Sequence, residues 1–264
     1  MNKCQHRYQQ ILVLLEQNEQ CQIDELAKYF SVSHMTIRRD IKKLQEKGLI
    51  YVSYGGWLKR RFVPYSPQYT LKDKHNPLSK QVIGQLASQL LRPNTVIFLD
   101  GGTTVRSMIP FIKVPLTVIT LDLTSAMLLN DNTLIKLILC PGEMPPKSRV
   151  CYNSESIKYL FQQVIDMAFI SADGFSLNDG ALTTSQVKAD CKWMAMQRAL
   201  QSVLMIDTSK RNQRCRHKIA DLNQFAYLVS EKALTREEQK QLARQHVQLI
   251  SKERETSVWN ENRL

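Results

Sequence analysis

The chain has 264 residues, 43% of them hydrophobic, which suits one large cored domain or two unequal ones and excludes a disordered chain. Its 36 Lys and Arg outnumber 24 Asp and Glu, and the net charge of +12 points toward a polyanionic partner such as nucleic acid. No apolar run approaches the ~18–20 residues that a bilayer span requires, so no membrane partner is expected.

The polar start from Met1 to Arg7 leads into a helical pattern and does not resemble a signal peptide, so a cytoplasmic chain is expected. Six cysteines, Cys4, Cys21, Cys140, Cys151, Cys191 and Cys215, are scattered without a C-x-x-C pair. They read as free thiols in a reducing compartment. His6, His75, His217 and His246 have no ligand spacing, so neither a metal nor a cofactor is expected.

Ile11, Leu14 and Leu15 recur at i, i+3 and i+4 and mark a first helix, which the polar stretch Asn18 to Cys21 ends. A short second helix is expected from Asp24, with Leu26, Ala27 and Phe30 on one side. The turn Ser31-Val32-Ser33 follows. Ser33 is a favourable N-cap for a third helix, and Val32 and Ile37 stand at the two positions of a hydrophobic staple. That helix buries Ile37, Ile41 and Leu44 and ends before Gly48. Ser33, His34, Met35, Arg38, Arg39 and Lys42 then face outward, and five bases stand against two acids over residues 34–47.

Leu49 to Trp57, with Gly55-Gly56 inside, fits a small β-wing. Helix, tight turn, capped basic helix and wing together make a winged helix-turn-helix over residues 1–57. Arg38 and Arg39 suit guanine or phosphate, and Lys42 and Lys43 suit phosphate. An ordinary basic surface helix would share the charge, but not the cap, the staple, the small Ala27 and the core spacing together. Residues 58–75, with Lys59-Arg60-Arg61 and two prolines, read as a linker.

Beyond it, short apolar runs end at polar residues. They are Val96 to Leu99, Leu116 to Ile119, Leu134 to Leu139, Met167 to Ile170, Val203 to Ile206, Tyr227 to Val229 and Val247 to Ile250. Helical patterns lie between most of them, which indicates an α/β domain with a largely parallel sheet over residues 76–251, before a tail at 252–264. The last helix is expected to start at Thr235, with Glu238 completing a capping box.

Asp100-Gly101-Gly102-Thr103-Thr104 follows one of these runs and opens a helix, with Val105, Met108, Ile109 and Ile112 inward. Such a loop offers backbone N–H groups and hydroxyls to an anion, and equally makes a tight strand-to-helix turn. Asp100, Asp122, Asp173-Gly174 and Asp207 all lie at the ends of apolar runs, the edge where open parallel sheets bind ligands. Lys210 stands three residues beyond Asp207, where it can meet a phosphate or a sugar oxygen. Each aspartate taken singly is also explained as a helix cap.

The stretch Val32 to Ile41 with Leu44 and Gly48-Leu49 resembles the signature of DeoR-type transcriptional regulators. The motifs Asp100-x-Gly-Thr-Thr, Ala172-Asp173-Gly174 with Gly180, and Asp207-x-Ser-Lys210 resemble the sensor motifs of the same family. The resemblance implies that Ser33, His34, Thr36, Arg38 and Arg39 belong to a recognition helix. It also implies a sensor fold similar to the sugar-phosphate isomerase domain, and a phosphorylated sugar as effector. The segment from Ala189 to Lys210 is most similar to family members of the fucose type, which implies a deoxysugar phosphate. Val52 and Tyr54 stand where the family usually has an Arg and a His in the wing. Thr120-Leu121-Asp122 replaces a usual Thr-Asn, and Lys188 replaces a common acid.

The expected function is a DNA-binding regulator of a sugar-catabolism operon, acting as a homo-oligomer on a double-stranded operator. The alternative is a sugar-phosphate isomerase with an accessory DNA-binding domain. No Ser/His/Asp or Cys/His nucleophile set is legible, so the non-enzymatic reading is preferred.

Overall fold

The computed structural model describes residues 7–8, 10–12, 14–15, 20–46, 49–52, 57–60, 75–145 and 148–252. Cys4, Gly48, Tyr54, the Gly55-Gly56 pair, Arg61, most of the expected linker and the tail from 253 lie outside them. The chain divides near residue 64 into two compact units.

In the N-terminal unit the described residues between 7 and 15 are helical, with Ile11 and Leu15 buried. Helix α1 spans Ile23–Phe30 and α2 spans His34–Glu46. Helix α1 starts one residue before Asp24, because the Gln22 N–H donates to the Glu25 carboxylate at 2.8 Å and fixes the first turn there. Ser31 ends it in the left-handed region at φ 51°, and the Val32 N–H closes back on Ala27 O at 3.1 Å. The expected cap is present: Ser33 Oγ accepts from the Thr36 N–H at 3.2 Å. Leu26, Ala27, Ile37, Ile41 and Leu44 form one core with Ile11 and Leu15, and Val32 packs against it.

Strands β1 (Gln20–Cys21), β2 (Ile50–Val52) and β3 (Leu58–Arg60) make an antiparallel sheet in the order β1-β3-β2. Strand β3 occupies the start of the expected linker. Leu58 holds it to the domain, fully buried in the same core.

The C-terminal unit begins with α3 (Pro77–Ser88) and strand β4 (Thr95–Leu99). Strands β5 (Leu116–Thr120), β6 (Ile135–Leu139), β7 (Ile165–Ser171), β10 (Ala199–Met205), β12 (Tyr227–Val229) and β13 (Gln248–Ile250) complete a seven-stranded parallel sheet. The order is β13-β12-β10-β7-β4-β5-β6, with every pairing parallel. All seven expected runs are strands of this sheet. The chain starts in the middle at β4, builds outward through β5 and β6, then returns to place β7 on the other side. The order reverses between β4 and β7, and at such a switch point open sheets bind their ligands.

Both faces of the sheet are covered. Ile97, Leu99, Phe169, Val203 and Met205 pack with Ile83, Leu86 and Ala87 of α3. Their neighbours Phe98, Ala168, Ile170 and Leu204 point the other way. There they meet α6 (Ser154–Phe161), α7 (Gln186–Gln197) and α8 (Arg236–Arg244) through Leu160, Ala195 and Leu242. Burial on both faces is why these strands read as unbroken apolar runs. The expected Thr235–Glu238 box caps α8.

A second, antiparallel sheet leaves no apolar run in the sequence to mark it. It comprises β8 (Gly174–Ser176), β9 (Gly180–Thr183) and β11 (His217–Ala220), in the order β11-β9-β8. Gly180 turns the chain into β9 at φ 81°, and a Cβ there would lie 2.2 Å from Ala220 O, so both conformation and space require glycine.

Candidate functional site

The outward face of α2 is strongly basic. Arg38, Arg39, Lys42 and Lys43 are exposed, opposite the buried Ile37, Ile41 and Leu44. Asp40, one of the two acids counted against these bases, is buried and accepts from Arg7 Nε. That pairing removes a carboxylate from the outer face and is invisible at a separation of 33 residues. Ser33 and Thr36 join their hydroxyls at 2.9 Å, and His34 Nδ1 lies 3.3 Å from Asp24 Oδ1 of α1. These three are therefore engaged within the domain. Side-chain positions of Lys59 and Arg60 in the wing lie outside the description.

In the C-terminal unit, Asp100 follows β4 at the switch point and is 0% exposed. Its Oδ2 accepts from Lys192 Nζ at 2.5 Å, Ser171 Oγ at 2.5 Å and the Ser171 N–H at 3.1 Å, and its Oδ1 accepts from Tyr152 OH at 2.8 Å. Lys192 lies on α7, only 4% exposed, and also donates to Ser171 O at 2.8 Å. Burial pushes the Asp100 carboxyl up, but the Lys192 ammonium, helped by the Ser171 and Tyr152 hydroxyls, outweighs it and holds the carboxyl below its ordinary value. Burial, with the Asp100 charge behind it, pushes the Tyr152 phenol well above its ordinary value. Lys188 sits with its Nζ 5.9 Å from the centre of the Tyr152 ring.

The two glycines after Asp100 serve this packing. A Cβ on Gly101 would fall 2.5 Å from Val150, and one on Gly102 would fall 2.0 Å from Ser171 Oγ. They let the loop approach its own protein, whatever ligand it also meets. Thr103 and Thr104, both buried, open the short helix α4 (Thr103–Arg106).

The other aspartates are also bonded within the protein. Asp122 caps α5 (Leu123–Leu129), accepting from the Ser125 N–H at 3.0 Å and Ser125 Oγ at 2.6 Å. Leu121 is buried in the core. Asp173 accepts from Thr183 Oγ1 at 2.8 Å across the small sheet, beside Gly174, which begins β8. Asp207 accepts from the Ser209 N–H at 3.1 Å and Asn76 Nδ2 at 3.3 Å. It caps the single turn Thr208–Lys210, which Glu231 braces through Thr208 Oγ1 at 2.5 Å.

Lys210 sits half-buried on this turn, beside His75. Partial burial, Lys210 and Lys80 together lower the His75 pKa, against a smaller opposing effect of Asp207. A second cationic group, Arg106 and Arg149, flanks Asp122. Lys192, Tyr152, Ser171, Lys80 and Arg106 are residues that sequence reasoning missed. Their partners are remote in the chain, and no local pattern marks them.

Thus Asp100, Ser171 with Asp173, and Asp207 with Lys210 stand at or just beyond the C-terminal ends of the adjacent strands β4, β7 and β10. A capped basic helix-turn-helix combined with a doubly wound sheet that gathers polar groups at its switch point defines a DNA-binding regulator with a sensor domain. The chain belongs to the DeoR family of such regulators. Residues 7–59 match the DeoR-like helix-turn-helix domain and residues 75–232 match the DeoR C terminal sensor domain.

The chain is 30% identical to the HTH-type transcriptional regulator YgbI of Escherichia coli, over 92% of this chain and 96% of that one. It is 28% identical to the L-fucose operon activator of Haemophilus influenzae, over 87% and 92%. Ribose 5-phosphate isomerase A from Methanocaldococcus jannaschii is 18% identical with a TM-score of 0.39, over 52% of this chain and 55% of that one, too distant a likeness to carry an argument. No helix among the described residues is long and apolar enough to cross a membrane.

Proposed function

We propose that this regulator controls a sugar-catabolism operon in response to a phosphorylated sugar bound at the C-terminal edge of the parallel sheet. The observation that carries this reading is that the Gly101–Thr104 loop and Lys210 follow the C-terminal ends of β4 and β10, strands two apart in one sheet on either side of the switch point. The first-turn N–H groups of α4 and the hydroxyls of Thr103 and Thr104 would receive an anion on one side. Lys210, with Lys80 near it, would supply charge on the other. Asp100, Asp122 and Asp207 would then shape the pocket rather than grip the sugar, since each is buried and bonded within the protein.

The same commitment weighs against the isomerase alternative: Asp100, held ionised by Lys192, has both oxygens occupied and is poorly placed to act as a base. The fucose-type deoxysugar phosphate remains the proposed effector, supported by the similarity to the Haemophilus influenzae activator. DNA binding by α2 would run through Arg38, Arg39, Lys42 and Lys43, in a homo-oligomer that pairs two half-sites in the cytoplasm.

Fluorescence anisotropy on DNA from upstream of the chain's own gene cluster, against a scrambled duplex, tests the reading. Binding to the upstream duplex alone, shifted by one sugar phosphate from a panel that includes deoxysugar phosphates of the fucose type, is the expected result. Equal, salt-sensitive binding to both duplexes without any shift would reject it. Conversion of a sugar phosphate during incubation would favour the enzyme instead.

A further inference from the structure

An α-helix turns about 100° per residue, which places Met35 roughly 160° around α2 from Ile37 and almost opposite the buried row Ile37, Ile41 and Leu44. It stands between Arg39 and Lys42 on the outermost line of the helix, one and two turns before them. Met35 is 61% exposed, a large apolar side chain left in water amid cations. The polar residues around it have partners within the domain. His34 lies toward α1, against Asp24 at 3.3 Å, and Ser33 and Thr36 are bonded to each other at 2.9 Å. The N-terminal turn of a recognition helix is the part that meets base edges. In this chain the residue of that turn set opposite the buried row is apolar.

We propose that Met35 reads DNA sequence by packing its thioether side chain on the C5-methyl group of a thymine in the major groove. The inference rests on the reading of α2 as the recognition helix. Thymine carries the methyl group in that groove, so an apolar contact there distinguishes it from the other bases. Methionine suits the task, being flexible and polarizable. Arg38 and Lys43, nearer the two flanks of α2, bind the phosphates that seat the helix, and the methionine on its outermost line selects a base pair. His34 stays exposed beside Asp24 and is free to join the same face on the DNA.

The test is selection of binding sites from a random duplex library with the full-length chain and with Met35→Ala. The wild type is expected to enrich a thymine at one fixed position of each half-site, and Met35→Ala to accept any base there. Replacing that thymine by deoxyuridine removes the methyl group alone. The replacement should weaken wild-type binding about three- to fivefold per half-site, the worth of one buried methyl group. It should leave Met35→Ala binding unchanged, and Met35→Leu should restore the preference for thymine. Insensitivity of the wild type to deoxyuridine at every selected thymine would overturn the proposal, as would full discrimination by a Met35→Ala protein of unchanged melting temperature. If the wild type selects no site at all, the reading of α2 as a recognition helix fails first.

Discussion

Lys192 Nζ lies 2.5 Å from Asp100 Oδ2 across 92 residues of chain, and both groups are almost wholly buried at the point where the strand order reverses. Removing one partner of such a pair strands the other charge in a medium that solvates it poorly. Lys192→Met should therefore destabilise the protein by about 3–5 kcal/mol at neutral pH. The pH dependence has a definite sign. In the wild type the carboxyl pKa is lowered from 3.8, so its contribution is complete above that value and is lost as pH falls through the lower folded value. In the variant, burial without the ammonium raises the folded pKa, and protonation of Asp100 relieves the stranded charge. The stability gap should be widest near pH 7 and narrow toward pH 4. Urea denaturation of both proteins at the two pH values measures it, and a gap independent of pH would show that Asp100 is not the stranded group.

Gly102 and Ser171 are in contact so close that a Cβ on the glycine would fall 2.0 Å from the serine hydroxyl. Gly102→Ala must move Ser171, and with it the hydrogen bonds that Ser171 makes to Asp100 and Lys192. Overpacking of this kind typically costs about 1–3 kcal/mol. The expected variant is folded and moderately less stable, binds operator DNA as before, and has lost its response to the effector. An unaltered response in the same anisotropy titration would detach the Gly101–Thr104 loop from the sensor site.

Lys210 is only partly buried, so its replacement tests binding with little effect on folding. A hydrogen bond to a charged group contributes about 1.5–3 kcal/mol, which corresponds to roughly a 10- to 100-fold loss of affinity. Lys210→Ala should raise the effector concentration needed to shift DNA binding by that factor, and the melting temperature should stay within a degree or two of the wild type. A response at the wild-type concentration would exclude Lys210 from the pocket.

The parts of this molecule legible in its sequence are those whose causes are local. Ser33 caps the turn it precedes in the chain, and Leu26, Ala27, Ile37, Ile41 and Leu44 show their burial by spacing alone. Each parallel strand shows itself because both its faces are buried, as with Ile97 and Phe98 on opposite sides of β4. The antiparallel strands Gly174–Ser176, Gly180–Thr183 and His217–Ala220 give no apolar run and no alternation long enough to register. Lys192 looks like any cation in a helix until the fold brings Asp100 to it. The aspartates at the strand ends were found by position, but their use was not fixed by it. Asp122 and Asp207 are the helix caps that each could have been singly, and Asp100 is the anchor of a buried network.

On the DNA side, exposure decides what a substitution does. Arg38 and Arg39 make no contribution to the core beneath Ile37 and Ile41, so changing both to Ala should leave the melting temperature nearly unaltered. Operator affinity should fall by at least 100-fold, since two charge-assisted contacts are lost. The salt dependence separates their roles. Each phosphate contact removed flattens the slope of log K against log salt by about 0.9, whereas loss of a guanine contact weakens the preferred site with little change of slope. Single variants titrated at several salt concentrations, on operator and scrambled duplexes, resolve the two cases. By its place on the outermost line of α2 beside Met35, Arg39 is expected to lose discrimination between the duplexes. Arg38, set about 100° from Ile37 toward the flank of the helix, is expected to flatten the slope. Identical slopes and identical discrimination in the wild type and both variants would remove α2 from the DNA interface.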